Sequence, residues 1–326
     1  MKPPRPTTLI ESVRLSERLG ADVVLASEAF QWTGSFKFRA ASNVARSIPN
    51  PAVVTASSGN FGQAMAYACL LAGKRCTVVM PANSARVKIE AVRSYGATVD
   101  LIDTNLIRRE ARVAALAAAQ PDAYVASAYD DPLVIEGNAS LGHELAAINA
   151  AATNGAGATA SKGTASPRPV RGAHPFDAIL APIGGGGLCA GVVTGLRAAG
   201  DRTGVWAAEP AMANDFVRSL AAGRVIAQEQ EPQTIADGAR TRSVGAHNWA
   251  VLQSGLAGAI EVGEDHIVEA VRLCFQLANV KAEPTGAVTI GALLADPARF
   301  RGQRVCCVVS GGNVDESVFC RIVEKT

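Results

Sequence analysis

From Pro51 onward the apolar positions repeat in one arrangement: a short β-branched run, a Gly or Ser turn, then an alanine-rich stretch whose apolar side chains recur three and four apart. Alternation between these two patterns is the grammar of strand–turn–helix units, and its repetition predicts an α/β fold around buried, mostly parallel sheet. The runs predict strands at 52–55, 76–80, 98–102, 178–180, 205–208 and 305–309. Helical spacing predicts helices at 61–72, 84–95, 107–119, 134–150, 188–199, 265–280 and 286–294. The stretch 151–175, rich in Ala, Gly, Thr, Ser and Pro, breaks the grammar. It has too little apolar surface to offset its ordering entropy and reads as a flexible surface insertion.

Composition narrows the class. Hydrophobic residues make up 48% of the 326 positions and charged residues 18%, so the chain can bury a large core and is neither disordered nor a coiled coil. A formal net charge of +2 without a dense basic stripe argues against a nucleic-acid partner. The start of the chain carries no secretory pattern, and no run approaches the roughly 18 apolar residues of a membrane span. The expectation is a cytoplasmic protein with no membrane partner. Seven scattered cysteines without C-x-x-C pairs fit a reducing compartment and a packing role. His143, His174, His247 and His266 show no metal-ligand spacing.

Chemistry gathers at four turns. Ser57-Ser58-Gly59-Asn60-Phe61 follows one strand and opens a helix, so its free N–H groups suit a carboxylate, although a capped tight turn has the same pattern. Gly184-Gly185-Gly186-Gly187-Leu188 follows another strand. Four glycines permit close backbone approach and suit a phosphate, with neither the Walker lysine nor the spacing of a dinucleotide fingerprint. Ser310-Gly311-Gly312-Asn313 places a hydroxyl beyond a third strand. Lys37 lies between Phe36 and Phe38, where it is either an amphipathic surface side chain or a desolvated, nucleophilic amine. Ligands of open α/β sheets bind beyond the carboxyl ends of the strands, where these turns lie.

Together the motifs Ser35-Phe36-Lys37-Phe38-Arg39, Ser57-Ser58-Gly59-Asn60, Lys88 with Tyr95-Gly96-Ala97, Gly184 to Leu188, Glu283-Pro284-Thr285-Gly286-Ala287 and Ser310-Gly311-Gly312-Asn313 give the chain its resemblance. It resembles the fold-type II pyridoxal-phosphate enzymes, tryptophan synthase β-like in fold, and within them the serine/threonine ammonia-lyase and serine racemase branch. The resemblance implies two α/β domains, a large one of 1–50 and 137–326 and a small substrate-closing one of 51–136. It implies a homodimer acting on a small amino acid, with pyridoxal 5′-phosphate as cofactor.

By motif position, Lys37 is expected to carry the cofactor and move the α-proton, with Phe36 packed beside it. Asn60 is expected at the phenolic oxygen, Gly184, Gly185, Gly186, Gly187 and Leu188 at the phosphate, and Ser310 at the pyridine nitrogen. Ser58 holds the place of the opposite-face acid or base of serine racemases. Glu209, Ala213 and Asp215 match the branch's divalent-cation site, whose hard oxygen ligands suit Mg²⁺ or Ca²⁺. Phe61 stands where the branch has His, and Ser57, Ser58, Asn60, Phe61 and Asn138 are the expected substrate contacts, with Glu136 near the same edge. The implied reaction is loss of water from a 3-hydroxy amino acid such as threonine or serine; a serine or aspartate racemase and a 3-hydroxyaspartate dehydratase are the alternatives. Arg86, Lys88 and Arg93 read as a solvated helix face.

Overall fold

The computed structural model describes residues 2–57, 59–84, 86–156 and 175–324. Its elements run β1 (Thr8–Glu11), α1 (Val13–Leu19), β2 (Asp22–Ser27), α2 (Lys37–Ser47), β3 (Ala52–Ala56), α3 (Asn60–Ala72), β4 (Arg75–Pro81) and α4 (Arg86–Ser94). Next come β5 (Thr98–Ile102), α5 (Arg109–Ala119), β6 (Ala123–Ala126), α6 (Pro132–Ala156), β7 (Ala178–Pro182), α7 (Gly187–Ala198) and β8 (Gly204–Pro210). The chain closes with α8 (Asp215–Ala222), α9 (Ala246–Gly255), β9 (Gly258–Val262), α10 (Glu264–Ala278), α11 (Pro284–Ala295), β10 (Arg304–Val309) and α12 (Glu316–Glu324).

Two sheets result: a six-stranded one in the order β1-β2-β10-β7-β8-β9 and a four-stranded one in the order β5-β4-β3-β6. All pairings are parallel except β1 with β2. The reason is visible in β10, whose Val305, Cys307 and Val309 enter one apolar cluster while Cys306 and Val308 enter another on the opposite face. A strand covered on both sides reads as a continuous apolar run, and such a sheet is served by helical crossovers. The four-stranded sheet has its own cluster, which includes Phe38, Ala41 and Val44 of α2 and Ile48 just after it, beside Phe61 and Met65 of α3.

The expected strands and helices are all present, with four further strands and five further helices among the described residues. Of the insertion expected at 151–175, the first six positions are helical, because α6 continues through Ala156; positions 157–174 lie outside the described residues, and with them His174. Among the described residues no helix is long and apolar enough to cross a membrane. Six of the seven cysteines are buried, as their apolar settings predict.

Candidate active site

The carboxyl ends of β3, β7 and β10 carry the three Gly- and Ser-rich turns, and the chain before α2 is laid across one of them. Phe36 N–H donates to Ser310 O (2.9 Å), Gly312 N–H to Gly34 O (3.0 Å), and Ser35 bridges Gly311. Lys37 therefore starts α2 directly above the end of β10. Its Nζ lies 4.9 Å from the Phe36 ring centroid and 5.7 Å from that of Phe61, and donates to Ala128 O at 2.7 Å. Burial lowers the amine to about 8, while the Glu283 carboxylate acts in the opposite direction. Of the two readings the sequence leaves open for Lys37, its enclosure by Phe36, Phe61 and the Ala128 carbonyl supports the desolvated amine.

The glycine loop is shaped by what presses on it. Gly186 has φ +94°, a left-handed conformation that glycine adopts without strain. A Cβ on Gly184 would stand 2.8 Å from Ala239 Cα, one on Gly187 2.8 Å from Tyr129 O, and one on Gly185 would overlap the Tyr129 ring. Asn248 Nδ2 donates to Gly185 O (2.6 Å) and Tyr129 O (3.0 Å), and Asn138 Nδ2 donates to Gly187 O (3.0 Å). The loop's carbonyls are thus turned toward the protein. Among the described residues no group accepts from the backbone N–H groups of Gly184, Gly185 or Gly186. Leu188, buried, continues the loop into α7, whose N-terminus adds to the preference for negative charge.

Beside the loop, Ser310 Oγ is buried and has no partner among the described residues, and the same holds for Ser35 Oγ. Across the cleft Asn60 Nδ2 donates to Glu283 Oε1 and Oε2 (2.8 and 3.1 Å), and Asn60 Oδ1 accepts from Asn313 Nδ2 (2.9 Å). Burial, reinforced by Asp237, pushes the Glu283 carboxyl up to about 7 against the opposing hydrogen bond from Asn60 and the charges of Lys88 and Lys37. A nucleophilic amine, a row of free N–H groups and a buried unpaired hydroxyl fit a phosphorylated ring aldehyde such as pyridoxal phosphate. Lys37, Gly184 to Leu188 and Ser310 would hold it.

Other expected contacts fall in different places. Ser57 joins the turn, its N–H donating to Val79 O (3.1 Å) and its hydroxyl accepting from Gly59 N–H (3.3 Å). Phe61 is buried in the cluster of the four-stranded sheet, with its ring still near the amine. Asn138 is buried on α6 behind the glycine loop. Glu136 is exposed and accepts from Asn43 Nδ2 (3.1 Å), on the outer side of α6. The Ser58 expectation falls on a position outside the described residues. Lys88 corrects the reading of a solvated face: its Nζ meets Asp237 Oδ2 at 2.7 Å, which ties α4 of the four-stranded unit to the turn beside Gly184.

At the expected cation site, Glu209 accepts from the N–H groups of Phe216 and Val217 (2.8 Å each), and Asp215 Oδ2 accepts from Val244 N–H (2.8 Å). Asp215 Oδ1 is buried without a partner among the described residues. Burial raises Glu209 well above the usual carboxylate range and Asp215 to about 6. Ala213 ends the short 3-10 turn between them. No cluster of three or more His, Cys, Asp or Glu able to hold a metal is found among the described residues.

Two features escaped the sequence reading. Glu283 was visible only as part of a motif, with no role. Arg39, two residues after Lys37, is fully buried and forks onto Glu28 (2.7 and 2.9 Å), Glu144 (2.8 and 3.1 Å) and Ser140 Oγ (3.0 Å). Glu144 also accepts from Thr7 N–H (2.7 Å), so one guanidinium joins the N-terminal strand, α2 and α6 beneath the lysine. The advance signal for Arg39 was its place in the Ser35-Phe36-Lys37-Phe38-Arg39 motif, which names no partner for the charge.

The sequence profile described as pyridoxal-phosphate dependent enzyme matches residues 1–311. An L-threo-3-hydroxyaspartate ammonia-lyase of Pseudomonas is 32% identical over 98% of this chain and 93% of its own length. An L-threonine ammonia-lyase of Geobacter sulfurreducens is 32% identical over 98% of this chain and 74% of its own. Among solved structures, maize serine racemase superposes with a TM-score of 0.84 at 28% identity, covering 99% of this chain and 92% of that one.

Proposed function

The chain belongs to the pyridoxal-phosphate dependent enzyme family, of the ammonia-lyase and racemase kind, and on that footing we propose that it removes water and ammonia from a 3-hydroxy amino acid of the serine, threonine and 3-hydroxyaspartate class. Water lost from the α,β bond is regained when the enamine hydrolyses, so the products are a 2-oxo acid and ammonia.

The observation that carries this reading is the Ser310 hydroxyl, buried at the end of β10 without a partner among the described residues. The bound cofactor supplies an electron sink that acidifies the α-proton of an attached amino acid. A neutral hydroxyl at its ring nitrogen does not hold that nitrogen protonated as a carboxylate would, which favours expulsion of a β-substituent over transamination. Lys37, with its amine lowered to about 8, would hold the cofactor aldehyde and serve as the base for the substrate α-proton. Asn60 would donate to the phenolic oxygen. The N–H groups of Gly184 to Leu188 would hold the phosphate, with Phe36 beside the ring. Ser57, Gly59 and Asn60 bind the substrate carboxylate at the opening of α3, and Phe61 shapes the pocket wall. The segment 51–136 closes over the substrate, and closure excludes water from the reacting bond. Glu209, the Ala213 carbonyl and Asp215 would supply oxygen ligands to Mg²⁺ or Ca²⁺ at the edge of α8.

The test is a proton NMR time course in D₂O with the cofactor and Mg²⁺, run in parallel on serine, threonine and the 3-hydroxyaspartate isomers. A 2-oxo acid from one of them supports the proposal and names its substrate. Loss of the α-proton signal without any 2-oxo acid would replace it with a racemase.

A further inference from the structure

The amides beside the site form a chain that ends on two groups able only to accept. Asn313 Nδ2 donates to Thr33 O (2.7 Å) and to Asn60 Oδ1 (2.9 Å), and Asn60 Nδ2 donates to both oxygens of Glu283. A backbone carbonyl has no proton to give, so Asn313 must present its nitrogen to Thr33 and, with its second hydrogen, to Asn60. An ionised carboxylate has none either, so Asn60 must turn its nitrogen to Glu283. The orientation of Asn60, which an isolated amide would leave open, is fixed from both ends.

Glu283 is itself held. It caps the N-terminus of α11, its N–H donates to Gly311 O (3.1 Å), and a Cβ on Gly311 would stand 2.6 Å from Oε1. Only glycine at 311 lets the carboxylate lie this close to the end of β10.

We propose that Glu283 is a positioning residue for the cofactor: acting through Asn60, one of whose amide hydrogens its two oxygens share, its carboxylate fixes the polarity of the Thr33–Asn313–Asn60 chain so that Asn60 offers the ring its other N–H and never its oxygen. This rests on the reading of Asn60 as the partner of the phenolic oxygen. The groups that face Glu283 are Asn60 of α3, Asp237 of the turn beside Gly184, Lys88 of α4 and Lys37 of α2. A proton on the carboxyl converts one of its two acceptors into a donor that the Asn60 nitrogen cannot accept, so the lock loosens on the acid side of about 7.

The experiment measures the affinity of the apoprotein for pyridoxine 5′-phosphate, which keeps the phenol and the phosphate but has no aldehyde for Lys37, between pH 6 and 8.5. Wild type should weaken relative to E283Q as the pH falls through about 7, because the Gln oxygen still accepts from Asn60 and does not titrate. E283L, which offers no acceptor, should bind roughly tenfold more weakly than E283Q at every pH, with the melting temperature of each apoprotein recorded to separate unfolding from loss of the lock. Parallel pH profiles for wild type and E283Q, or E283L binding as tightly as E283Q, would overturn the proposal. Wild type binding no pyridoxine 5′-phosphate at all would overturn both this role and the reading of the site beneath it.

Discussion

The amine of Lys37 donates to the carbonyl oxygen of Ala128 at 2.7 Å, so the second residue beyond the end of β6 holds the nucleophile that α2 presents. A protonated amine suits that carbonyl, and only the neutral amine attacks an aldehyde. With the amine lowered to about 8, its neutral fraction rises tenfold per pH unit up to about 8 and then levels off. The rate of pyridoxal phosphate attachment should follow the same curve, read by stopped-flow absorbance. A rate still climbing tenfold per unit above pH 9 would mean an unperturbed lysine, and K37A should show no attachment at all.

The apoprotein should record Glu283 and Lys37 as opposite slopes. Glu283 binds its proton more tightly folded, at about 7, than unfolded near 4.5; its contribution is fully present below 4.5 and is lost as the pH rises through 7. The Lys37 amine is lowered from 10.5 to about 8, so stability returns as the pH rises between those values. Each slope is at most roughly 1.4 kcal/mol per pH unit. Urea denaturation of the apoprotein across this range should show a fall and then a recovery, and E283Q should flatten part of the fall. Glu209 and Asp215, also raised by burial, add to the same fall.

Arg39 should prove the costliest side chain near the site to remove. Its side chain and that of Glu28 have no exposed surface. Deleting one partner of a buried pair leaves the other charge uncompensated, at about 3–5 kcal/mol. R39M should therefore lower the urea midpoint severely, and the double variant R39M/E28L should recover part of the loss because no lone carboxylate remains at 28. Equal midpoints for the single and double variants would contradict that account.

The local parts of this architecture were readable in the chain. Strand-then-turn units announced Ser57 to Phe61, the four glycines and Ser310, because each is a short-range pattern whose physics is set by neighbours in sequence. β1 is an exposed edge strand that pairs antiparallel, outside the repeating grammar, and β6 has only four residues. The link between Asn60 and Glu283 joins positions 223 apart, and Arg39 finds Glu144 across 105. No periodicity encodes such pairings; they exist only once the turns are gathered at one edge. Lys88 misled for the same reason, since a charged helical residue looks solvated until its partner is folded against it.

The glycine loop gives a steric test. A Cβ on Gly185 overlaps the Tyr129 ring, and Tyr129 cannot retreat freely because its carbonyl is held by Asn248. Overpacking of this kind costs about 1–3 kcal/mol, so G185A should weaken pyridoxal phosphate binding by about tenfold or more through displacement of the loop's N–H groups. Removing the obstruction in G185A/Y129A should restore much of the affinity by titration of the apoprotein. A double variant as weak as G185A would place the defect in the loop's backbone instead.

The ion pair of Lys88 and Asp237 should matter for charge more than for stability. Both side chains are partly exposed, at 30% and 43%, and such pairs contribute about 0–1 kcal/mol. Asp237 raises the Glu283 carboxyl while Lys88 lowers it, so the two halves of one bridge act on that group with opposite signs. D237N should move the Glu283 midpoint to lower pH and K88M to higher pH, each with a melting temperature close to wild type. The midpoint can be followed as the acid limb of pyridoxine 5′-phosphate binding. Loss of a structural bridge would shift both variants in the same direction, and only an electrostatic coupling through Glu283 separates them.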